Sequence, residues 1–193
     1  FQGSADHIVS EAFYFGDPEG NGVELYVDRP RDTWTWDNGQ VRMTTLFVDP
    51  NQFLGEHLTP QARDFVETAA GRRGSLPDET VVAHVHLKVG DTARAKDFYV
   101  DTLGFDVTSE MRGALFVSAG GYHHHMAMNV WNSRGAGPRS RMLGLGVVNI
   151  LVPTLDELGR TGERLRHKGF RPDFDGRTLS VLDPWSNDCP LYT

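Results

Sequence analysis

Six of the eight histidines, His7, His84, His86, His123, His124 and His125, fall in or beside segments that read as strands. Imidazole exchanges protons near neutrality and is the commonest metal ligand, so a cluster has two chemical uses. A single histidine on a strand is more often a hydrogen-bonded core or surface residue, and three in a row can be solvent-exposed. Strand geometry nevertheless puts His84 and His86 on one side of their strand. Within the triple it puts His123 and His125 on one face and His124 on the other. Glu24 adds a carboxylate between Val23 and Leu25, in an otherwise apolar strand that follows Gly20-Asn21-Gly22. Burying a carboxylate there is costly unless it is paired or bound to a cation.

An internal repeat separates the structural residues from the chemical ones. Asp17-Pro18-Glu19-Gly20-Asn21-Gly22-Val23-Glu24-Leu25-Tyr26 aligns without gaps on Asp183-Pro184-Trp185-Ser186-Asn187-Asp188-Cys189-Pro190-Leu191-Tyr192, matching at five of ten positions. Glu24 meets Pro190, which cannot ligate. His84, in His84-Val85-His86-Leu87-Lys88-Val89, meets Val147 in the second copy. A requirement of the fold should survive in both copies, so Glu24 and His84 read as site residues. They make two ligands of a two-His-one-carboxylate face, a set that leaves positions open on Fe(II), with Mn(II) as the other ion of matching preference.

The elements that must position these groups follow from periodicity and turn residues. Residues 8–15 and 23–27 read as strands around a turn-rich 16–22, while the opening residues 1–7 show no helix of their own. Residues 28–50 are mixed, with a possible strand over 41–48. A helix fits 60–70, with Thr59 as cap, Pro60 at its first position and a stripe of Ala62, Phe65, Val66 and Ala69; residues 71–80 form a polar connector. Strand 81–89, a helix capped by Asp91 and closed by Gly104, and strands 105–109, 114–119 and 123–131 then make one unit. Strand 145–152, a helix with the Thr154/Glu157 capping box, and strands near 171–174, 178–182 and 190–192 repeat the order. The expected fold class is α+β, with βαβββ modules in cupped mixed sheets. Residues 1–30 would be the last two strands of a module whose first part lies upstream, and 31–80 a linker with one helix. Residues 81–135 would be a full module and 136–193 a degenerate one.

Composition narrows the function classes. A net charge of −7 argues against nucleic acid, which needs a dense basic face. The lone Cys189 cannot make an internal disulfide, and no apolar run is long enough to span a bilayer. The expectation is a cytoplasmic protein with no membrane or nucleic-acid partner.

The stretch His7-x5-Phe13-Tyr14-x2-Asp17-Pro18-x-Gly20-x3-Glu24 resembles the signature of extradiol ring-cleaving dioxygenases of the vicinal oxygen chelate superfamily, with Ala5 where Gly or a similar residue is commoner. Ala83-His84-Val85-His86-Leu87 and Gly120-Gly121-Tyr122-His123-His124-His125 extend the likeness to the catechol 2,3-dioxygenase branch. The resemblance implies an Fe(II)-dependent enzyme that opens catechol or a substituted catechol with O2 beside the diol, giving a semialdehyde, in aromatic degradation. It implies Glu24 and His84 as metal ligands, with a third ligand, a His, upstream of residue 1. Tyr14 resembles the tyrosine that hydrogen-bonds a catecholate oxygen, His125 the acid–base histidine, and His7 another histidine near substrate. His124 would exchange with His125 on a one-residue slip, and His86 is a neighbouring candidate. The alternatives on the same fold are a glyoxalase-like isomerase, lyase or thiol transferase, and a non-catalytic binder of an aromatic ligand. Unpaired module halves imply a homo-oligomer or association with the upstream part.

Overall fold

A computed structural model of the chain describes residues 1–68, 78–140 and 143–193. Its strands and helices run β1 (Gly3–Asp6), β2 (Ser10–Gly16), β3 (Gly22–Asp28), β4 (Trp36–Asp37), β5 (Gln40–Val41), β6 (Leu46–Phe47), α1 (Pro50–His57) and α2 (Pro60–Thr68). They continue β7 (Val85–Lys88), α3 (Thr92–Lys96), β8 (Asp106–Met111), β9 (Ala114–Ser118), β10 (Met126–Asn129), β11 (Ile150–Leu151), α4 (Leu155–His167), β12 (Asp173–Phe174), β13 (Thr178–Leu182) and β14 (Asp188–Tyr192). Among the described residues no helix is long and apolar enough to cross a membrane. The chain divides into two compact units, Phe1–Thr35 with Arg42–Ala83, and Trp36–Val41 with His84–Thr193.

The first unit carries a four-stranded antiparallel sheet in the order β3-β2-β1-β6. Residues 3–6, assigned to neither expected strand, form β1, so the opening segment contributes three strands rather than two. Gly-Ser-Ala-Asp has no strand signature of its own; pairing on both sides makes it one. A second correction is α1, where only one helix was expected between 31 and 80. Asp49 caps it by accepting from the Asn51 and Gln52 backbone N–H groups, and Pro50 takes the first position. Phe53 of α1 packs edge-on against Phe13 of β2, with ring centroids 4.9 Å apart. The expected helix over 60–70 is seen as α2 over Pro60–Thr68, whereas Ala69 and most of the connector, with Arg72 and Arg73, lie outside the described residues.

The second unit holds two sheets of one pattern, β7-β10-β9-β8 and β11-β14-β13-β12, in which each first strand pairs in parallel with the last. The helix over 91–104 splits into α3 and a π-helical turn, Asp97–Thr102, which buries Phe98, Tyr99 and Thr102. One apolar core serves both sheets, from Leu87, Phe98, Tyr99, Leu115 and Met128 to Leu158, Leu165, Leu179 and Leu191. Such burial is the main stabilising term of a domain this size. The strand expected over 145–152 shrinks to β11 and a single bridge from Val147 to Asp188.

The repeated segments form the same turn, bond for bond. Asp17 Oδ1 accepts the backbone N–H groups of Glu19 (2.9 Å) and Asn21 (2.7 Å), and its Oδ2 accepts Asn21 Nδ2 (2.8 Å). Asp183 Oδ1 accepts Trp185 (2.9 Å) and Asn187 (2.7 Å), and its Oδ2 accepts Asn187 Nδ2 (2.8 Å). The residue before each Asn is left-handed, Gly20 at φ 84° and Ser186 at φ 65°. Asp-Pro-x-x-Asn is therefore a clasp that builds the β-turn, which is why it persists where the ligand types are lost. Its buried copy adds a bond from the Tyr99 hydroxyl to Asp183 Oδ2 at 2.8 Å.

Cys189 is fully buried beside that clasp, and burial, with the nearby Asp183 charge, pushes its thiol up to about 12. The thiolate is the reactive form. A thiol-specific chromogenic reagent at pH 8 should therefore leave the native protein unlabelled and label one thiol in denaturant; rapid native labelling contradicts the burial.

Candidate functional site

In the first unit the β2–β3 register sets Tyr14 directly opposite Glu24, both half-buried on one face. The Tyr14 hydroxyl donates to Glu24 Oε1 at 3.0 Å, and His7 Nε2 lies 2.6 Å from the same hydroxyl. His7 Nδ1 is 2.8 Å from the Thr44 carbonyl, which can only accept. All three contacts are hydrogen bonds at once when His7 carries a proton on each nitrogen. In its neutral Nδ1–H form, His7 accepts a hydrogen bond from the Tyr14 hydroxyl and competes with Glu24 for it. The phenol proton is thus shared by hydrogen bonding between carboxylate and imidazole.

The turn that presents His7 is held firmly. Asp6 receives two bonds from Arg29, at 2.5 and 2.9 Å, and Glu11 a third at 3.2 Å. The Arg29 bonds hold the Asp6 carboxyl below its ordinary range against the opposing effect of desolvation. Asp6 Oδ1 also accepts the Ile8 backbone N–H at 2.7 Å, and Ile8 stands at φ 73°. A β-branched residue rarely adopts that left-handed conformation, so the tip of the turn is strained where it positions the imidazole.

Burial, then the facing Glu24 carboxylate, raises the Tyr14 phenol well above its ordinary value. Burial raises Tyr99 likewise. A folded pKa above the unfolded one means stability is full below about pH 10 and declines as pH rises toward the folded value. Tyr14 and Tyr99 should ionise late, above the ordinary phenol range, in an ultraviolet phenolate titration. Tyr14→Phe should remove one phenol from that late class; an unchanged late amplitude refutes the assignment.

In the second unit, β7 and β10 are parallel neighbours with Val85 opposite Met126, so the residues entering each strand lie side by side. His84 enters β7 and His123–His125 enter β10. The His84 ring stacks on His124 with centroids 4.3 Å apart, and on His86 at 5.0 Å. His123 Nδ1 is 2.8 Å from His124 Nδ1, and His124 Nε2 is 3.3 Å from His86 Nε2. His123 and His124 are only 1% and 7% exposed, which removes the reading of a solvent-exposed patch. One ring nitrogen from each of His84, His123 and His124 lies within 4.8 Å of the others.

That arrangement corrects the expected alternation. His123 and His124 both reach His84, whereas His125 turns away, because the triple precedes β10 and strand periodicity does not govern it. His125 Nδ1 accepts the Ala119 backbone N–H at 3.3 Å and lies 3.0 Å from Ser118 Oγ, so its proton sits on Nε2. Ser118 also lines a cleft of about 480 Å³ with Trp36, Asp106 and Thr108. Within the first unit the structure brings together Glu24, Tyr14 and His7; within the second it brings together His84, His86, His123 and His124, with His125 turned toward Ser118 and Ala119. Thr44 and His123 had been given no role by the sequence; the parallel pairing of β7 with β10 is the signal that would have singled out His123.

A family model for the glyoxalase/bleomycin resistance protein/dioxygenase superfamily matches residues 81–179. The chain belongs to that superfamily. Its repeated modules are the vicinal oxygen chelate fold, an α+β architecture with several mixed sheets and no closed barrel among the described residues. This member is 43% identical over 188 residues to a curated protein of Bacillus subtilis (strain 168) named catechol-2,3-dioxygenase, a match covering 95% of the chain and 62% of that protein. The chain thus spans less than two thirds of its relative's length. Glyoxalase I of Leishmania major is similar at a TM-score of 0.48 and 19% identity, covering 60% of this chain and 87% of that one. An antibiotic-binding protein of Streptomyces sp. CB03234 matches at 0.44 and 23%, covering 61% and 98%.

Proposed function

We propose that the protein is an extradiol dioxygenase that cleaves catechol or a substituted catechol with O2. The observation that carries this reading is the Glu24–Tyr14–His7 chain, a carboxylate joined through a phenol to an imidazole. The similarity to a catechol-2,3-dioxygenase supports it. Glu24 and His84 would each supply a ligand to a bound metal, and imidazole with carboxylate suits Fe(II), with Mn(II) as the neighbouring choice. When bound, the ion supplies Lewis acidity to the diol and an electron path to dioxygen.

The chain's own residues manage protons and orientation. Tyr14, kept protonated by burial and by Glu24, is a donor for a diol oxygen. His7 receives on Nε2, across the 2.6 Å contact, a proton the diol releases, while its Nδ1–H stays bonded to the Thr44 carbonyl. His124, among neighbouring imidazoles, is the acid–base group on the opposite task of returning a proton. His125 is assigned to the same proton exchange through its Nε2–H.

The test is anaerobic loading of the full-length protein with Fe(II), followed by catechol and air. A yellow ring-opened product with matching oxygen uptake is expected. Iron-loaded protein that consumes no oxygen with any of several catechols overturns the reading, and the same assay with Mn(II) decides the ion.

A further inference from the structure

The cleft lined by Ser118 is walled on one side by the β4–β5 hairpin. Asn38 and Gly39, left-handed at φ 48° and 79°, make its two-residue turn, so Trp36 pairs with Val41 and the two side chains share a face. Val41 is buried where β5 lies against β8, while Trp36 stays 40% exposed and lines the cleft. The floor comes from β8 and β9, whose register sets Asp106 opposite Ser118 on one face. The register then slips between Val107 and Ser109, and Thr108, the extra residue, lines the same cleft.

We propose that this cleft binds a primary arylalkylammonium ion, with its aromatic ring against Trp36 and its N–H groups on Asp106 and Ser118. The site is separate from the ring-cleavage reading and does not depend on it.

The direction of the hydrogen bonds selects a cation. The Ala119 backbone N–H donates to His125 Nδ1, so that atom is an acceptor. The Ser118 hydroxyl proton therefore goes to it at 3.0 Å, or to the Ala119 carbonyl at 3.3 Å. The Thr108 proton goes to the His123 carbonyl at 2.6 Å. Both hydroxyls belong to buried residues and spend their protons inward, which leaves only lone pairs for a ligand. The exposed Asp106 carboxylate accepts only, and among the described residues it has no hydrogen-bond or ion-pair partner. Three side chains thus offer acceptors to one cleft and none offers a donor. An anion meets repulsion there and a bare hydrocarbon ring leaves the oxygens unpaired, whereas an ammonium group brings three N–H donors.

Trp36 supplies the other half of the recognition. An exposed carboxylate pairs weakly with a cation in water when it acts alone. Beside an indole the cation is also attracted by the ring's negative face, and the ligand's own ring covers the part of Trp36 left bare. The cleft, at about 480 Å³, has room for such a ligand.

Titration of 2-phenylethylammonium, which has the ring and the cation but no diol, into the full-length protein tests the site. The readout is the set of tryptophan indole N–H signals in 1H–15N spectra. One signal should move, the one that is absent from Trp36→Phe. Asp106→Asn should weaken binding at least about fivefold, and Asp106→Glu, which keeps the charge, should retain most of it. Phenylacetate and 2-phenylethanol should bind at least about tenfold less tightly than the amine. Unmoved indole signals, equal binding of the amine and the alcohol, or an unchanged affinity in Asp106→Asn overturns the proposal. So does a moving signal that survives in Trp36→Phe, which would put the amine elsewhere. An iron form that cleaves no catechol would leave amine binding intact and defeat only the proposed activity; the converse result would defeat only this site.

Discussion

Glu24→Gln is expected to lower catechol cleavage by the Fe(II)-loaded protein at least about 100-fold while leaving the melting temperature unchanged. The amide keeps the side chain's shape and an oxygen that still accepts from the Tyr14 hydroxyl, now 3.0 Å from Oε1, so the β2–β3 pairing loses little. What disappears is the negative charge. Without it the side chain is a poor ligand for a hard divalent ion, and Tyr14 loses the anion that helps keep its phenol protonated. Steady-state turnover and iron content per chain, read together, check both effects. A variant that keeps its iron and a tenth or more of its activity removes Glu24 from the ligand set.

The second large effect concerns stability. Asp183→Ala should cost about 3 kcal/mol, because a buried carboxylate is removed and its donors, the Trp185 and Asn187 backbones, Asn187 Nδ2 and the Tyr99 hydroxyl, are left in an apolar surround. For a chain of this length that corresponds to a fall of roughly 6–12 °C in Tm, measurable by calorimetry. Asp17→Ala breaks the same clasp where water can replace it, so its loss should be clearly smaller. Equal losses, or a fall of under about 2 °C for Asp183→Ala, would show that the turn is held by its backbone alone.

Those two aspartates also show what could be read before the structure. A gap-free match of ten residues identified a repeated turn, and the turns agree in every side-chain bond of the clasp and in handedness. Helix α4 was legible for a similarly local reason, since Thr154 accepts from the Glu157 backbone as its spacing implies. Elements made by their neighbours were not legible. β1 exists because β2 and β6 flank it, and α1 lay hidden in a stretch whose apolar residues have no helical period. The same distinction governs the site. Tyr14 and Glu24 share a register within one hairpin, so local spacing sufficed. His123 and His124 meet His84 through the parallel pairing of strands about forty residues apart, and the backbone ahead of β10 does not alternate.

The left-handed Ile8 has an evolutionary corollary. Conformations of that kind cost about 1–3 kcal/mol, so Ile8→Gly should emerge readily from any selection for heat tolerance. The same change frees the tip that aims His7 at Tyr14, and survivors of such a screen should be sturdier proteins with a slackened grip on the shared proton. Where toughness and turnover are scored separately, this one position should pull them in opposite directions.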